Sequence, residues 1–290
     1  MNKTIKILAA LLPLFITSCT NDDANVTTTP QQDPVVTLSA GITRTEGETG
    51  TTNTDFSYNK IKVINVTRQG KGLPYSQAVF TKNTSGTTAT WTSDSPLLWC
   101  GGMENTFHAV YPATADYSSF TVPSDQSDAT KLASADWMTG EAKATLNNLT
   151  NASPITLNMT RKMAKVEVTV ELVNASWNDN EDYAYFILPE NQYANNSENK
   201  TKALIETISD ETNKRKFTAI IPTGNITSEG IFCKIYLKSK NTIIAIEKEL
   251  SFEAGKKYTF TAKYDLSPGP QVPTRSAAPN NLTLVSVEPM

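Results

Sequence analysis

Apolar and polar residues alternate along most of the chain beyond its N-terminal segment. The clearest case is Met163–Val173, where the even positions from Ala164 to Leu172 are apolar and the odd positions from Lys165 to Glu171 are polar. A period of two is that of a β-strand with one buried face. The segment therefore predicts a half-buried strand of an antiparallel sheet, and 155–159 predicts the strand before it.

The same signal recurs at short intervals, and turn-forming sequences at 222–225, 238–241 and 253–256 separate several of the segments. Further strands are predicted over 35–43, 60–67, 89–92, 106–111, 119–122, 183–188, 216–221, 231–238, 242–250, 257–264 and 282–287. Only 199–208 is predicted as a helix. We therefore expect a mainly β protein of two antiparallel β-sandwich-like domains with Greek-key-type connections and little helix.

Composition divides the chain into five expected segments. At roughly 150 residues per domain, 290 residues suffice for two domains, and the Asn-rich stretch 147–153 suggests a linker between them. The expected segments are a lipoprotein signal peptide (1–18), a disordered tether (19–34), an N-terminal β-domain (35–150), a C-terminal β-domain (151–266), and a Pro-rich linker with a C-terminal strand (267–290).

The N-terminus has the features of a secretory signal. Lys3 and Lys6 precede an apolar run over 7–16, which small residues follow, and the run is too short to span a bilayer as a stable helix. The sequence Ile-Thr-Ser-Cys at 16–19 resembles a bacterial lipobox. Cleavage before Cys19 and lipidation of that cysteine, for example with palmitate, are therefore expected. Ordinary signal cleavage, with Cys19 incidental, is the alternative.

Charge and histidine content exclude several functions. The chain has 26 basic and 29 acidic residues, a net charge of −3, and no basic stripe, so no nucleic-acid partner is expected. His108 is the only histidine, which excludes metal sites built on several histidines and leaves one base for a His-based triad. Catalysis by carboxylates alone stays open. No cofactor or metal is expected.

Three aspartates, Asp125, Asp128 and Asp136, lie close together in the sequence. Calcium ligation or a glycosidase pair is one interpretation. Their spacing matches no EF-hand loop, so polar loop residues are the favoured interpretation.

Two other groups of residues have a structural and a functional interpretation. Trp91, Trp99, Tyr111 and Tyr117 either form a platform that stacks on sugars or pack in the core of a sandwich, and the core is favoured. Cys100 and Cys233 either form a disulfide or are free buried thiols. We expect free thiols.

A series of motifs resembles one protein family. In order they are Trp-Thr-Ser-Asp-Ser-Pro-Leu-Leu-Trp from 91, Asn-Thr-Phe-His-Ala-Val-Tyr-Pro from 105, Asp-Gln-Ser from 125, Ala-Asp-Trp-Met from 135, the strand from 163, and the hairpin at 252–260. Together they resemble the fimbrillin family, the subunits of type V pili in Bacteroidales, over most of 35–290. Two departures are Arg161-Lys162, where a histidine is common, and a last strand without a terminal tryptophan.

The resemblance implies an assembly mechanism. Family members reach the outer surface as lipoproteins, as the acidic run after Cys19 also suggests, and a protease cuts after an arginine. The leading strand then leaves, and a terminal strand of the next subunit fills the groove. By this resemblance the cut falls between Arg44 and Thr45. The donor strand contains Leu282, Leu284, Val285 and Val287.

The residues of the last strand themselves predict an irregularity. Apolar residues fall next to each other at Leu284 and Val285, which predicts a β-bulge or a change of face. The alternative to donation is an ordinary last strand that packs on its own domain.

We therefore expect a non-enzymatic structural subunit of a cell-surface fimbria that supports adhesion. Its partners would be other pilus subunits, in a homo- or heteropolymer, the outer membrane through lipid on Cys19, and a host or bacterial surface receptor. A surface glycan-binding lipoprotein that never polymerises is the first alternative. A carboxylate-dependent hydrolase is the second.

Overall fold

The computed structural model describes residues 33–42, 59–83, 90–146, 153–209, 211–226, 230–266 and 281–290. In this part of the chain, twenty strands and two short helices, α1 (Val66–Gly70) and α2 (Ala129–Ser134), are present. The first eight strands are β1 (Leu38–Ile42), β2 (Lys60–Asn65), β3 (Gln77–Asn83), β4 (Thr90–Ser93), β5 (Glu104–Tyr111), β6 (Phe120–Thr121), β7 (Met138–Thr145) and β8 (Ile155–Arg161).

The remaining strands follow Lys162. They are β9 (Met163–Val173), β10 (Tyr183–Ile187), β11 (Ala194–Asn195), β12 (Lys200–Lys202), β13 (Leu204–Thr207), β14 (Lys214–Pro222), β15 (Gly224–Asn225), β16 (Ile231–Leu237), β17 (Thr242–Glu247), β18 (Ser251–Phe252), β19 (Lys256–Asp265) and β20 (Asn281–Pro289). A 3-10 turn at Lys238–Lys240 joins β16 to β17, and Asn241 in the left-handed conformation ends it.

A seven-stranded sheet of order β1-β8-β7-β5-β2-β3-β4 forms the first half. Alternate residues of β8, namely Ile155, Leu157 and Met159, are buried on one face of this sheet. They join a core that also contains Trp99 and Phe107. All pairs within this sheet are antiparallel except β1 and β8, which run parallel.

Two sheets, of order β12-β10-β16-β17 and β13-β14-β9-β19-β20, form the second half. Strand β9 lies in the middle of the larger sheet, and its even-numbered side chains from Ala164 to Leu172 are fully buried. Phe186 and Phe232 of the smaller sheet join the same core as Phe217 and Phe260 of the larger one. This core stabilises the packing of the two sheets against each other.

The segment after β5 connects the two halves. Phe120, Val122 and Trp137 belong to the core of the second half, and β6 pairs in parallel with β11. The side-chain amide of the fully buried Gln126 donates to the Ile220 carbonyl at 2.8 Å and accepts from the Ile220 N–H at 2.8 Å. Gln126 thus makes the two backbone hydrogen bonds that a neighbouring strand would otherwise make with the end of β14.

The fold confirms a mainly β protein with little helix, and the alternation over Met163–Val173 is a buried-face strand as predicted. The helix predicted over 199–208 is wrong, because this stretch forms β12 and β13, which pair with β10 and β14. The expectation of purely antiparallel pairing is wrong for three pairs of strands. Long connections separate the two strands of each pair, and the strands run parallel; the pairs are β1/β8, β6/β11 and β9/β19.

Strand β8 lies in the first sheet and β9 lies in the second half, so the chain passes between them at Lys162. The expected C-terminal domain begins earlier, at 151. The division into two domains itself stays a prediction.

Candidate functional site

The leading segment, residues 33–42, runs first along the stretch 97–99 and then along β8. The Val36 N–H donates to the Leu97 carbonyl at 2.7 Å, and the Trp99 N–H donates to the Pro34 carbonyl at 3.0 Å. Strand β1 then follows β8, from Leu38 opposite Ile155 to Ile42 opposite Met159. Since β8 has β7 on its other side, β1 completes the pairing of β8 and is itself an edge strand.

Two side chains of this segment fill the core. Val36 is 2% exposed and Leu38 is 8% exposed, and both belong to the cluster that contains Trp99 and Phe107. Burying a Val or Leu side chain fully contributes about 1.5–3 kcal/mol each. The leading segment is therefore a part of the core as well as an edge strand.

Arg68 holds the start of the segment. Its side chain is nearly buried, and its Nη1 donates to Asp33 Oδ2 at 2.6 Å and to the Trp99 carbonyl at 2.7 Å. Its Nε donates to the Pro74 carbonyl at 2.5 Å. A buried guanidinium is stable only when its donors are satisfied, and the half-buried Asp33 carboxylate is one of the acceptors that satisfy it.

The last strand, β20, is an edge strand of the larger sheet and pairs antiparallel with β19. Ser286 lies opposite Thr259 and Leu284 lies opposite Phe260, so Val285 is an extra residue without a partner in the register. This confirms the predicted break in alternation as a β-bulge. Val285 is 58% exposed and Val287 is 48% exposed, whereas Leu284 packs partly against the core.

Polar contacts fix the end of this strand. Lys257 Nζ lies 3.0 Å from Glu288 Oε2 and, by its hydrogen bond, holds the pKa of the Glu288 carboxyl below its usual value. The Met290 N–H donates to the Gly255 carbonyl at 2.7 Å. Arg161 Nη1 donates to the Met290 carbonyl oxygen at 2.9 Å.

Arg161 also connects this end to the first sheet. It is the last residue of β8, and its Nε donates to Oδ2 of the fully buried Asp136 at 2.9 Å. One side chain therefore joins β8, the strand that pairs with β1, to the residue that directly follows β20. A cavity of about 450 Å³ lies beside it, lined in part by Leu132, Lys165 and Met290.

The three aspartates that could have been catalytic or metal-binding have structural partners. Asp125 and Asp128 both contact Lys131, at 2.7 Å and 3.3 Å, and Asp128 caps α2. The hydrogen bond from Lys131 lowers the pKa of the Asp125 carboxyl far below its usual value. Across the described ranges, no three His, Cys, Asp or Glu residues are placed to hold a metal ion.

The single histidine has two neighbours. The His108 ring stacks on Tyr117 with 3.8 Å between centroids, and its Nε2 lies 3.5 Å from a Glu141 carboxylate oxygen. Burial, then the charge of Glu141, raises the pKa of the Tyr117 hydroxyl.

The cysteine expectation is confirmed, and the core expectation holds for three of the four aromatic residues, whereas Tyr117 is half-buried and stacks on His108 outside both cores. Trp99 and Tyr111 are buried, and Trp91 packs against the first core, so these residues do not form a platform for sugars. Cys100 and Cys233 are free and buried, and burial raises the pKa of the Cys233 thiol.

Sequence reasoning missed a cluster on the outer face of the smaller sheet. Its tyrosines and lysines are Tyr183, Tyr185, Lys200, Lys202, Lys234, Tyr236 and Lys238, which we call the tyrosine–lysine face. The alternate spacing of Lys234, Tyr236 and Lys238 in one predicted strand is the signal that could have found it.

Comparison with known proteins decides the family. Residues 43–278 match the fimbrillin-like family over most of the chain. The chain belongs to the fimbrillin-like family. No curated protein sequence matches this fimbrillin-like chain.

Two crystal structures share its fold. One is a candidate cell adhesion protein of Bacteroides ovatus, with a TM-score of 0.58 and 12% identity, over 89% of this chain and 98% of that one. The other is a candidate cell adhesion protein of Bacteroides uniformis, with a TM-score of 0.50 and 16% identity, over 88% of this chain and 97% of that one. At these identities the likeness concerns the fold alone.

Family membership supports a role as a pilus subunit at the cell surface. The residues expected to direct lipidation and trimming in this fimbrillin-like chain, Cys19, Arg44 and Thr45, lie outside the described residues, as does the linker 267–280. Among the residues that the structure does describe, no helix is long and apolar enough to cross a membrane.

Proposed function

We propose that this protein is a structural subunit of a cell-surface pilus that supports adhesion, exported as an outer-membrane lipoprotein through lipid on Cys19. Assembly follows proteolysis between Arg44 and Thr45 and exchange of the leading strand. The observation that carries the proposal is the position of the leading segment. It is an edge strand with the core side chains Val36 and Leu38, and β1 ends two residues before Arg44.

Removal of this segment has a physical consequence. The free edge of β8 would expose its N–H and C=O groups, and the space left by Val36 and Leu38 would be lined by apolar side chains such as Leu157. An open strand edge beside an apolar groove favours addition of a strand from another chain. Other pilus subunits are therefore the partners that this site fits.

The last strand is the segment we propose as the donor. It pairs on one side only, and its Val285 and Val287 side chains are largely exposed, so its release uncovers less core than release of an inner strand would. The linker 267–280 precedes it and contains four prolines among its residues, a composition typical of an extended spacer.

A disulfide that locks β1 to β8 tests this proposal. Ser39 lies opposite Thr156 in the parallel pair, and both are exposed, so Ser39→Cys with Thr156→Cys places two thiols at strand spacing. Cys100 and Cys233 are buried and do not compete. We expect the oxidised double variant to reach the cell surface but form no ladder of multimers in unboiled electrophoresis, and reduction to restore the ladder.

Each single-cysteine variant is the matched control and should polymerise under oxidising conditions. A ladder from the locked, oxidised protein would contradict strand exchange. A single band from the wild-type protein and from every variant would instead favour a surface binding protein that never polymerises.

A further inference from the structure

The outer face of the smaller sheet concentrates aromatic rings and positive charge. Tyr183 and Tyr236, on the paired strands β10 and β16, stack with 4.9 Å between centroids, and Tyr185 packs edge-on against both, at 5.5 and 6.0 Å. All three rings are half-buried, with the sheet beneath them. The cluster is therefore a fixed group of rings rather than three independent surface side chains.

Ammonium groups surround these rings. Lys200 Nζ lies 5.1 Å from the Tyr185 centroid, and Lys238 and Lys202 lie 5.3 and 6.0 Å from the Tyr183 centroid. Lys234 is on the same face of β16, directly opposite Tyr185 in the register. Lys200 has Glu198 at 3.7 Å, whereas Lys202, Lys234 and Lys238 have no ion pair with any acidic residue that the structure describes.

The opposite face of the same sandwich has a different charge pattern. There, lysines pair with glutamates on the same or neighbouring strands: Lys165 with Glu167 at 2.8 Å, Lys216 with Glu206 at 2.9 Å, and Lys263 with Glu171 at 3.1 Å. Positive charge on that face is neutralised within the chain. On the tyrosine–lysine face, by contrast, three lysines carry a charge that no ion pair with a described residue neutralises, and acidic residues near Lys202 lie at the edge of this face, in the cavity that Asp179, Glu181 and Asp182 line with Tyr183.

The arrangement of the rings favours one class of anionic ligand over another. Proteins that bind single-stranded nucleic acid combine a positively charged groove with open aromatic faces on which the bases stack. Here the rings of Tyr183, Tyr185 and Tyr236 contact each other, and ammonium groups lie over two of them. The groups left to contact a ligand are therefore the tyrosine hydroxyls and the lysine ammonium groups. Such donors match a ligand with many hydroxyl groups and repeated carboxylates or sulfates.

We infer that the tyrosine–lysine face binds an acidic polysaccharide. Its anionic groups pair with Lys202, Lys234 and Lys238, and its hydroxyl groups bond to the tyrosine hydroxyls. The inference does not depend on strand exchange, because the monomeric chain already carries the complete face.

Binding of purified protein to defined polymers tests the inference. The probes are dextran sulfate, polygalacturonate, neutral dextran and oligo(dT), measured by calorimetry at two salt concentrations. We expect binding to one or both acidic polysaccharides, weaker at high salt, and none to dextran. Sulfate and carboxylate specificity are separated by the first two probes.

Two double variants with the same change in net charge provide the comparison. Lys202→Ala with Lys238→Ala should weaken binding roughly tenfold or more, the size expected for loss of two charge contacts. Lys216→Ala with Lys263→Ala, on the opposite face, should change it less than about twofold. Tyr183→Phe with Tyr236→Phe keeps the rings and removes two hydroxyls, and should weaken binding without altering the circular dichroism.

Three results would overturn the inference. They are equal binding to neutral dextran, an equal loss in the two lysine double variants, and tighter binding to oligo(dT) than to either acidic polysaccharide. None of these results bears on the ladder that tests the proposed assembly.

Discussion

Arg68 and Asp33 form an ion pair at 2.6 Å that joins the start of the leading segment to the interior of the first half. Arg68 also donates to the Trp99 carbonyl, and Trp99 in turn bonds to Pro34 through its N–H. The segment is thus held at its first described residue by a buried cation and farther along by the β8 ladder. A strand that is to leave must break both sets of contacts.

Replacing the carboxylate should loosen the segment. Asp33→Asn removes the charge that faces a nearly buried guanidinium, so we expect the local opening free energy of residues 34–42 to fall by about 1 kcal/mol. Hydrogen exchange of the amides in β1 measures this. Asp116→Asn, at an exposed aspartate, is the control and should leave β1 unchanged. Equal exchange in both variants would show that the ion pair does not hold the strand.

Gln126 should be important for the stability of the whole chain. Gln126→Ala leaves the buried N–H and C=O of Ile220 without their partners, and the expected loss in the free energy of unfolding is about 2–4 kcal/mol. Chemical denaturation measures it. Gln77→Ala at an exposed position of β3 should cost less than about 0.5 kcal/mol. A small effect at Gln126 would mean that water replaces the amide.

Acid should loosen the last strand through Glu288. Lys257 lowers the pKa of this carboxyl below 4.5. The Lys257–Glu288 contact therefore stabilises β20 fully above pH 4.5, and this stabilisation is lost as the pH falls through the lower pKa of the folded state. The same contact raises the pKa of the Lys257 ammonium group above 10.5, so on the alkaline side the stabilisation of β20 is lost only above about pH 10.5. Hydrogen exchange of β20, corrected for the intrinsic pH dependence, measures the effect.

The control for this pH dependence is Glu288→Gln. It removes the titrating group while it keeps the shape of the side chain, so the acid-induced loosening of β20 should shrink relative to the wild type. An unchanged pH profile would assign the loosening to other groups.

Leu284 distinguishes a donated strand from a permanent one. Leu284→Asp should block growth of multimers while the monomer stays folded, because the leucine fills a pocket of the neighbouring subunit in the proposed assembly. Thr283→Asp places the same charge on an exposed neighbour and should still allow growth. Unfolding of the Leu284 variant would instead show that the strand belongs to its own core, against which Leu284 packs partly.

Local patterns predicted the elements whose stability is decided within a few residues. The alternation of β9, the turn at 238–241 after β16 and the bulge at Val285 are of this kind. Strand β7 lacks a strong signal, since Met138–Thr145 contains Gly140 and, beyond Met138, its only other apolar side chains are those of Ala142 and Ala144. Its pairing with β5 and β8 makes it a strand. Tertiary pairing likewise overrides the helical interpretation of 199–208.

The contacts of the candidate site could not be predicted because they join distant parts of the chain. Asp33 meets Arg68, and Arg161 meets both Asp136 and Met290, at separations that no local pattern encodes. The tyrosine–lysine face depends on the strand order β12-β10-β16, which places residues from three segments side by side. The proposed cleavage and donor positions rest on the family resemblance, and the proposal that the leading strand is exchanged rests on its position at the edge of the first sheet.

The N-terminal residue of the assembled form is the most direct test of the central claim. Multimers would be isolated from the surface of intact cells, and their subunits sequenced from the N-terminus by chemical degradation or mass spectrometry. The account predicts that the subunits within multimers begin at Thr45, and that Arg44→Ala abolishes both this terminus and the multimers. Multimers whose subunits still carry residues 33–42 would contradict it.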